Sequence, residues 1–489
     1  MLAPLKQLPR KASSRMPGEP RDAIAGRWAA PMTLALGFFC FMPYPALNVL
    51  NTSAVQIGNA LTVLMVLPCL AISWKRQPFY LYLLILAPLC LSMLKVAAVG
   101  GDLDLSLKTF IVWAMACLTM ITAQAYAPRY ALHLMTGIAL ATLVHVAVGG
   151  WQFVAFSNGE FPLVGLYVNQ SFLSVQDNAT IIAKWTQRPF GIFPEPSAMS
   201  SSLAPWVLFW LAMACGIVRL KVQPQRWQRV LFNCATAGGL GLIILSRSGH
   251  TAVTLAGAAL IVGIWLKRSK ATPQTYAAIV AMFSIILPVV VWFAAMALGD
   301  RLGGASAMGN SSWQDRTDSL VLGFKLLTGG EASTLLFGFG PGLTSPALWD
   351  AARLEAVWSV SLGYIYETGL FGALVVFWIG RHVFKKWRES RGDLVFAAIA
   401  VVWLVGITLT TSYQQLLPLW LALGWMTVWP AICEPAGAVA ARTARPARLE
   451  APPVKPVRRR EKWIPLGMDG DALTDQMALT PDRPRRWTR

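Results

Sequence analysis

Apolar runs, each near the ~20 residues a bilayer needs, recur along this chain with polar breaks between them, and that pattern leaves few folds open. In lipid only helices and closed barrels satisfy their own backbone. The runs lack the period-two alternation of barrel strands, so the spacing predicts an all-α, polytopic membrane helix bundle. The composition agrees: 55% of residues are hydrophobic and 13% charged, with mean hydropathy +0.52. About twelve spans are expected, near 29–48, 54–74, 79–99, 108–126, 131–154, 198–218, 230–246, 250–266, 275–298, 358–380, 394–412 and 415–433.

Charge sets the expected topology. With the N-terminus inside, 33 of the 42 basic residues fall in inner loops and tails. The reverse orientation inverts that ratio, so N-in and C-in is the reading. The net charge of +19 then reports topology and attraction to anionic lipid, not a nucleic-acid footprint. Residues 1–28 form a basic cytoplasmic tail without a signal-peptide pattern, and the first span acts as an uncleaved anchor. The membrane domain covers 29–433. Residues 434–489, rich in Pro, Ala and Arg, read as a disordered basic cytoplasmic tail. Two long outer segments, 155–196 and 299–357, are too apolar for linkers and predict short helices over the outer end of the bundle. The seven cysteines, in or at the ends of spans, suggest neither a disulfide framework nor a metal site.

Chemistry-bearing residues cluster on that outer side. Ser246-Arg247-Ser248-Gly249-His250 separates two apolar runs with no room for a loop. A guanidinium near lipid costs at least ~2–3 kcal/mol unless it reaches water or a partner. Arg247 therefore either snorkels to the interface or faces an anion in a cavity. Arg188-Pro189-Phe190-Gly191-Ile192-Phe193-Pro194-Glu195-Pro196-Ser197 is a stiff turn before a span. There Ser197 can cap the helix, or Arg188 and Glu195 can stand at a site mouth with Glu195 as proton acceptor. Arg316 lies between Asp315 and Asp318 and either forms an exposed local ion pair with them or, preceding an apolar helix over 320–327, suits an anion at that helix N-terminus. Gly338-Phe339-Gly340-Pro341-Gly342 is either a plain turn or a loop offering amides to phosphate oxygens. Glu367, two to three turns into the tenth span, shares a helix face with Ser361 and Tyr364 and is either a structural group or a cavity group.

The order Arg188…Glu195-Pro196-Ser197, Ser246-Arg247-Ser248, Arg316, Gly338-Phe339-Gly340 and Glu367-Thr368-Gly369-Leu370-Phe371-Gly372 resembles the O-antigen ligase and Wzy-type polymerase superfamily. The resemblance implies a bacterial inner-membrane glycosyltransferase working on the periplasmic face with an undecaprenyl-diphosphate-linked oligosaccharide and no cofactor, metal or nucleotide sugar. It implies that Arg247 and Arg316, with Arg188 as a weaker third, bind the diphosphate. Glu367, Tyr364 and Trp313 would line the substrate cavity. Membrane lipids, a chain-length regulator and export machinery would be its partners; nucleic acid would not. One departure matters. Ligases of the family carry a histidine nine residues before this glutamate, and here that residue is Trp358. Of His133, His145, His250 and His382, only His250 is near the expected site. Polymerase is therefore favoured over ligase, with Glu195 the first candidate base and His250 the second. A transporter without catalysis is the rival from another class, and it predicts more mid-span charge than Lys95, Lys108 and Glu367 supply.

This topology makes a direct prediction. Single cysteines placed in 299–356 should react with an impermeant thiol reagent from outside, and one at Arg458 only from inside. Labelling of the long segment solely from the cytoplasmic side would overturn the orientation.

Overall fold

The computed structural model describes residues 28–43, 46–49, 53–73, 77–160, 162, 188–268, 311–354, 357–390, 393–410 and 416–434. The expected span at 275–298, both tails, Trp185 and most of the first outer segment lie outside these residues. Among the described residues, six helices are long and apolar enough to cross a membrane, and the chain is a polytopic helical membrane protein.

The first helix, α1 (Ala29–Phe39), is shorter than expected. Pro43 and Pro45 follow it, and prolines remove backbone donors and push the preceding residue out of the helical region. The chain then makes an antiparallel hairpin, β1 (Ala46–Val49) with β2 (Ser53–Gln56), the one pair of strands among the described residues. It returns through α2 (Ile57–Ser73) and α3 (Gln77–Ala98).

The 55 residues of α4 (Leu103–Ser157) would measure roughly 80 Å if straight, more than twice a bilayer core. They form two limbs, broken where Pro128 lacks a donor and Tyr130 leaves helical geometry at φ −119°, ψ 28°. Contacts fix the direction of each limb. The first runs parallel to α2, with Thr62 and Thr119 hydroxyls 3.2 Å apart and Tyr126 Oη donating to Met65 O. The second runs parallel to α1: Leu34 meets Gly137, and Phe41 meets His145. Since α1 and α2 join through the hairpin and run oppositely, the limbs do too, as the two expected spans require. At the α1 crossing, a Cβ on Gly37 would lie 2.4 Å from Leu134 O and one on Gly137 would lie 2.0 Å from Leu34 O. Backbone-to-backbone contact of this kind is how small residues hold membrane helices together.

The centre is α5 (Pro196–Ala214), buried along nearly its whole length, followed by α6 (Arg226–Leu245) and α7 (Gly249–Arg268). Trp206, Phe209 and Trp210 anchor it: Trp210 stacks on Phe232 at 6.0 Å, and Phe209 meets Trp425 edge-on at 5.3 Å. The second long segment contains α8 (Ser311–Gly329), which at 19 residues is longer than expected, and two short helices, α9 (Ala332–Phe337) and α10 (Thr344–Ala352). The chain ends with α11 (Val360–Glu389), α12 (Leu394–Val405), a π-helical turn (Gly406–Thr410), α13 (Leu417–Thr427) and α14 (Trp429–Ile432). Lys221 and Glu434 amides donate to Ile432 O and Arg219 O, so the α5–α6 connection and the end of α14 share the end of the bundle away from the hairpin.

The segment expected as one tenth span doubles back on itself. Gly369 has φ 66° and ψ −148°, a combination open essentially to glycine alone. A Cβ on Gly372 would lie 3.2 Å from Tyr364 O, although residues eight apart in a straight helix are ~12 Å apart. Residues 360–368 therefore form one arm and 370–389 a second, antiparallel arm. The turn is closed by the loop after α9. Phe339 N donates to Tyr366 O and Gly340 N to Glu367 O, at 2.9 and 3.1 Å, and Ser92 Oγ donates to Glu367 O at 2.6 Å. These donors satisfy carbonyls that a helix end leaves open.

Gly369→Ala should abolish this turn, because its Cβ would sit 2.6 Å from Gly338 N and Leu335 O. The expected loss is above ~3 kcal/mol, read as reduced folded yield and lower unfolding temperature in detergent. Gly363→Ala, with nothing within 4 Å of the added carbon, should be neutral or stabilising by up to ~1 kcal/mol. Equal effects from both would refute the clasp.

Candidate functional site

The hairpin end of the bundle gathers several expected residues at the tips of α5, α6 and α7. Arg247 sits between α6 and α7 with φ 47°, one of two non-glycine residues in the left-handed region among the described residues. That conformation makes the two-helix turn possible without a loop, and it leaves Arg247 half-buried. Hydroxyls cluster around the residue before it. Ser200 and Ser246 are fully buried with oxygens 2.8 Å apart. Ile243 O accepts from both Ser246 Oγ, at 2.7 Å, and Thr251 Oγ1, at 2.8 Å, and Ser200 Oγ lies within reach of both Ser246 Oγ and Pro196 O.

The stiff turn before α5 is held by residues that the sequence did not single out. Gln152 Oε1 accepts from Phe190 N and Gly191 N, and its Nε2 donates to Gly191 O, at 2.8–3.0 Å. His145, within the second limb of α4, is fully buried. Its Nδ1 accepts from Ile192 N, so its proton is on Nε2, which donates to Phe41 O at 2.7 Å. The ring also stacks on Phe193 at 4.6 Å. Two spent ring nitrogens make His145 a structural residue.

Glu195, 6% exposed, occupies the N-cap position of α5, with Pro196 at the first helical position. The expectation that Ser197 caps this helix is corrected: Ser197 lies inside it, and its hydroxyl donates to Glu195 Oε1. Arg188 begins the same turn and is half-buried.

His250 is fully buried in the first turn of α7, and neither ring nitrogen has a hydrogen-bond partner among the described residues. Such a group is costly unless water or a ligand completes it. It lies against Ser201 and Gly406: a Cβ on Gly406 would be 3.2 Å from Ser201 Cβ and 3.5 Å from His250 Cε1. Gly406 starts the π-helical turn, a feature common at functional sites. On its other side Ser361 Oγ donates to Thr408 Oγ1 at 3.2 Å. The π turn thus joins the arginine end of α6–α7 to the first arm of α11.

On that arm Tyr364 is buried, donates to Ile85 O at 2.6 Å and meets Trp113 edge-on at 5.0 Å. With Ser361 and Trp113 it lines an apolar cleft of about 190 Å³. Glu367 points elsewhere. Its Oε2 accepts from Trp113 Nε1 and its Oε1 from Gly342 N, both at 2.9 Å. The carboxylate, 7% exposed, thereby ties the Gly-rich loop to α4. That loop is corrected as a phosphate cradle. The amides of Gly338, Phe339, Gly340 and Gly342 already donate to Thr334 O, Tyr366 O, Glu367 O and Glu367 Oε1. Lys95 Nζ reinforces it, donating to Gly338 O at 2.7 Å and Thr334 Oγ1 at 2.9 Å.

Arg316 and Trp313 lie in α8, with side chains outside the described residues. The helix begins at Ser311, so Arg316 is past the first turn, where the dipole effect fades; the helix-terminus argument for this arginine is corrected accordingly. Beyond it, α8 packs on the α11 turn, with Tyr366 Oη donating to Leu320 O at 2.7 Å.

No family model matches this chain, and no curated protein matches it.

Gln152→Leu should leave two amides and a carbonyl of the 190–191 turn without partners in a buried setting. A loss of ~1–3 kcal/mol is expected, together with faster proteolysis before α5. Wild-type unfolding and cleavage rates in this variant would show that Gln152 does not hold the turn.

Proposed function

We propose that this protein is a metal-independent membrane glycosyltransferase that polymerises lipid-diphosphate-linked repeat units on the periplasmic face of a bacterial inner membrane, with twelve spans and both termini inside. The observation that carries the reading is the tip of α5–α7. A half-buried arginine in a left-handed turn follows the buried Ser246, whose hydroxyl meets Ser200 in the first turns of α5, the helix that the turn bearing Arg188 and Glu195 leads into.

In the proposed reaction an acceptor hydroxyl attacks the anomeric carbon of the lipid-linked donor. The new glycosidic bond forms as the carbon–oxygen bond to the diphosphate breaks, and the electron pair leaves with the diphosphate. Arg247, with Arg316 and Arg188, stabilises that growing negative charge through charge-assisted hydrogen bonds. Glu195 takes the hydroxyl proton, with His250 as the second candidate. Trp358, standing where a ligase would carry histidine, favours polymerase over transfer of finished glycan to lipid A or protein.

Two measurements test this. A deletion strain should accumulate lipid-linked single repeat units. Long lipid-linked chains would instead mean a ligase, and unchanged lipid-linked glycans would favour a transporter. Arg247→Ala should cut polymer at least ~10²-fold with protein still in the membrane. Arg247→Lys should rescue poorly, since a point charge replaces a bidentate fork. Normal polymer from the alanine variant would remove Arg247 from the mechanism.

A further inference from the structure

At the end of the bundle opposite Arg247, the second arm of α11 carries Leu374, Trp378, Arg381, Lys385 and Arg388. Alternating steps of four and three residues align them along one helix face. The stripe passes from apolar to aromatic to cationic within the span. Leu374 and Trp378 are 56% and 47% exposed, and neighbouring Phe377 is 70% exposed, so the apolar part faces out of the bundle. Against the cationic part stand Tyr80 and Leu81, from the start of α3. Together the two helices enclose a groove of about 1030 Å³ that also takes in His382, Phe384 and Glu389.

Two of the three cations of this groove, Arg381 and Arg388, are not spent internally. Among the described residues, no ion pair engages Arg381 or Arg388. The single carboxylate at its rim, Glu389, is held by Lys386 at 2.8 Å and lies at 4.0 Å from Lys385. Three cations in a recess with an exposed apolar wall directly beside them match an amphiphile with an anionic head. A free anion would gain nothing from the wall, and a neutral lipid nothing from the cations.

We propose that this groove binds an anionic phospholipid, with its phosphate on Arg381, Lys385 and Arg388 and its acyl chains along Leu374, Phe377 and Trp378. Basic pockets between helices at a membrane surface are suited to such head groups. Trp378 and Tyr80 mark the interface level, where amphipathic rings settle. The site is independent of the proposed glycosyl transfer.

Native mass spectrometry of the purified protein in neutral detergent tests it, with phosphatidylglycerol and phosphatidylcholine as probes. Phosphatidylglycerol should be retained about tenfold over phosphatidylcholine. Arg381→Gln with Arg388→Gln should remove that preference, while Arg226→Gln, an exposed basic residue outside the groove, should keep it. If the double variant folds poorly, Arg388→Gln alone should still halve the preference. Unfolding temperature without added lipid reports folding separately. Equal retention of the two lipids, an unchanged preference in the arginine variants, or displacement of the lipid by millimolar inorganic phosphate would each overturn the proposal.

Discussion

A helix that ends inside a packed bundle leaves carbonyls away from water with nothing to bond them, and much of this structure answers that constraint at one point. The first arm of α11 stops at Gly369, and its last carbonyls are met by the amides of Phe339 and Gly340 and the hydroxyl of Ser92. Close approach of the two chains needs glycine on both sides, at 338 and 369. Once that contact is made, other positions follow. Glu367 is brought to Trp113 and Gly342, Lys95 to Gly338 O, and Tyr366 to α8. The α8–α10 helices are thus tied to α3 and α4 through a backbone junction.

This junction gives Glu367-Thr368-Gly369 a physical meaning apart from catalysis. The glutamate bonds the loop, the glycine permits the turn, and a carboxylate with two N–H donors is tolerable at low exposure where a lone one would not be. The groups proposed for anion chemistry lie elsewhere, around Arg247. The π-helical turn connects the two regions through Ser361 and Gly406.

Much of the helical frame was legible because apolar run length and helix length are set by the same bilayer thickness. The boundaries of α3, α6 and α7 fall within a few residues of the spans read from hydropathy. The doubling back at Gly369 was not legible. Hydropathy measures how apolar a segment is, not its direction, and a glycine in a helical run does not reveal its dihedrals. Arg247 stood out because a charge between two apolar runs has few places to go. Gln152 and His145 were invisible for the opposite reason: each is one polar residue in a long apolar limb, and only the folded turn at 190–192 supplies its partners. The Gly-rich loop stayed open between a plain turn and a set of free amides because sequence cannot tell a free amide from one already used.

The crossing of α1 on the second limb of α4 bears on biogenesis. An 11-residue helix is too short to bridge a bilayer unaided, and its glycine partner, Gly137, is synthesised a full 100 residues after Gly37. During that interval α2, α3 and the first limb of α4 emerge, and α1 has α2 but not the returning limb to pack against. The crossing of Gly37 on Gly137 therefore closes late in synthesis, when the returning limb of α4 reaches a first helix already joined to α2.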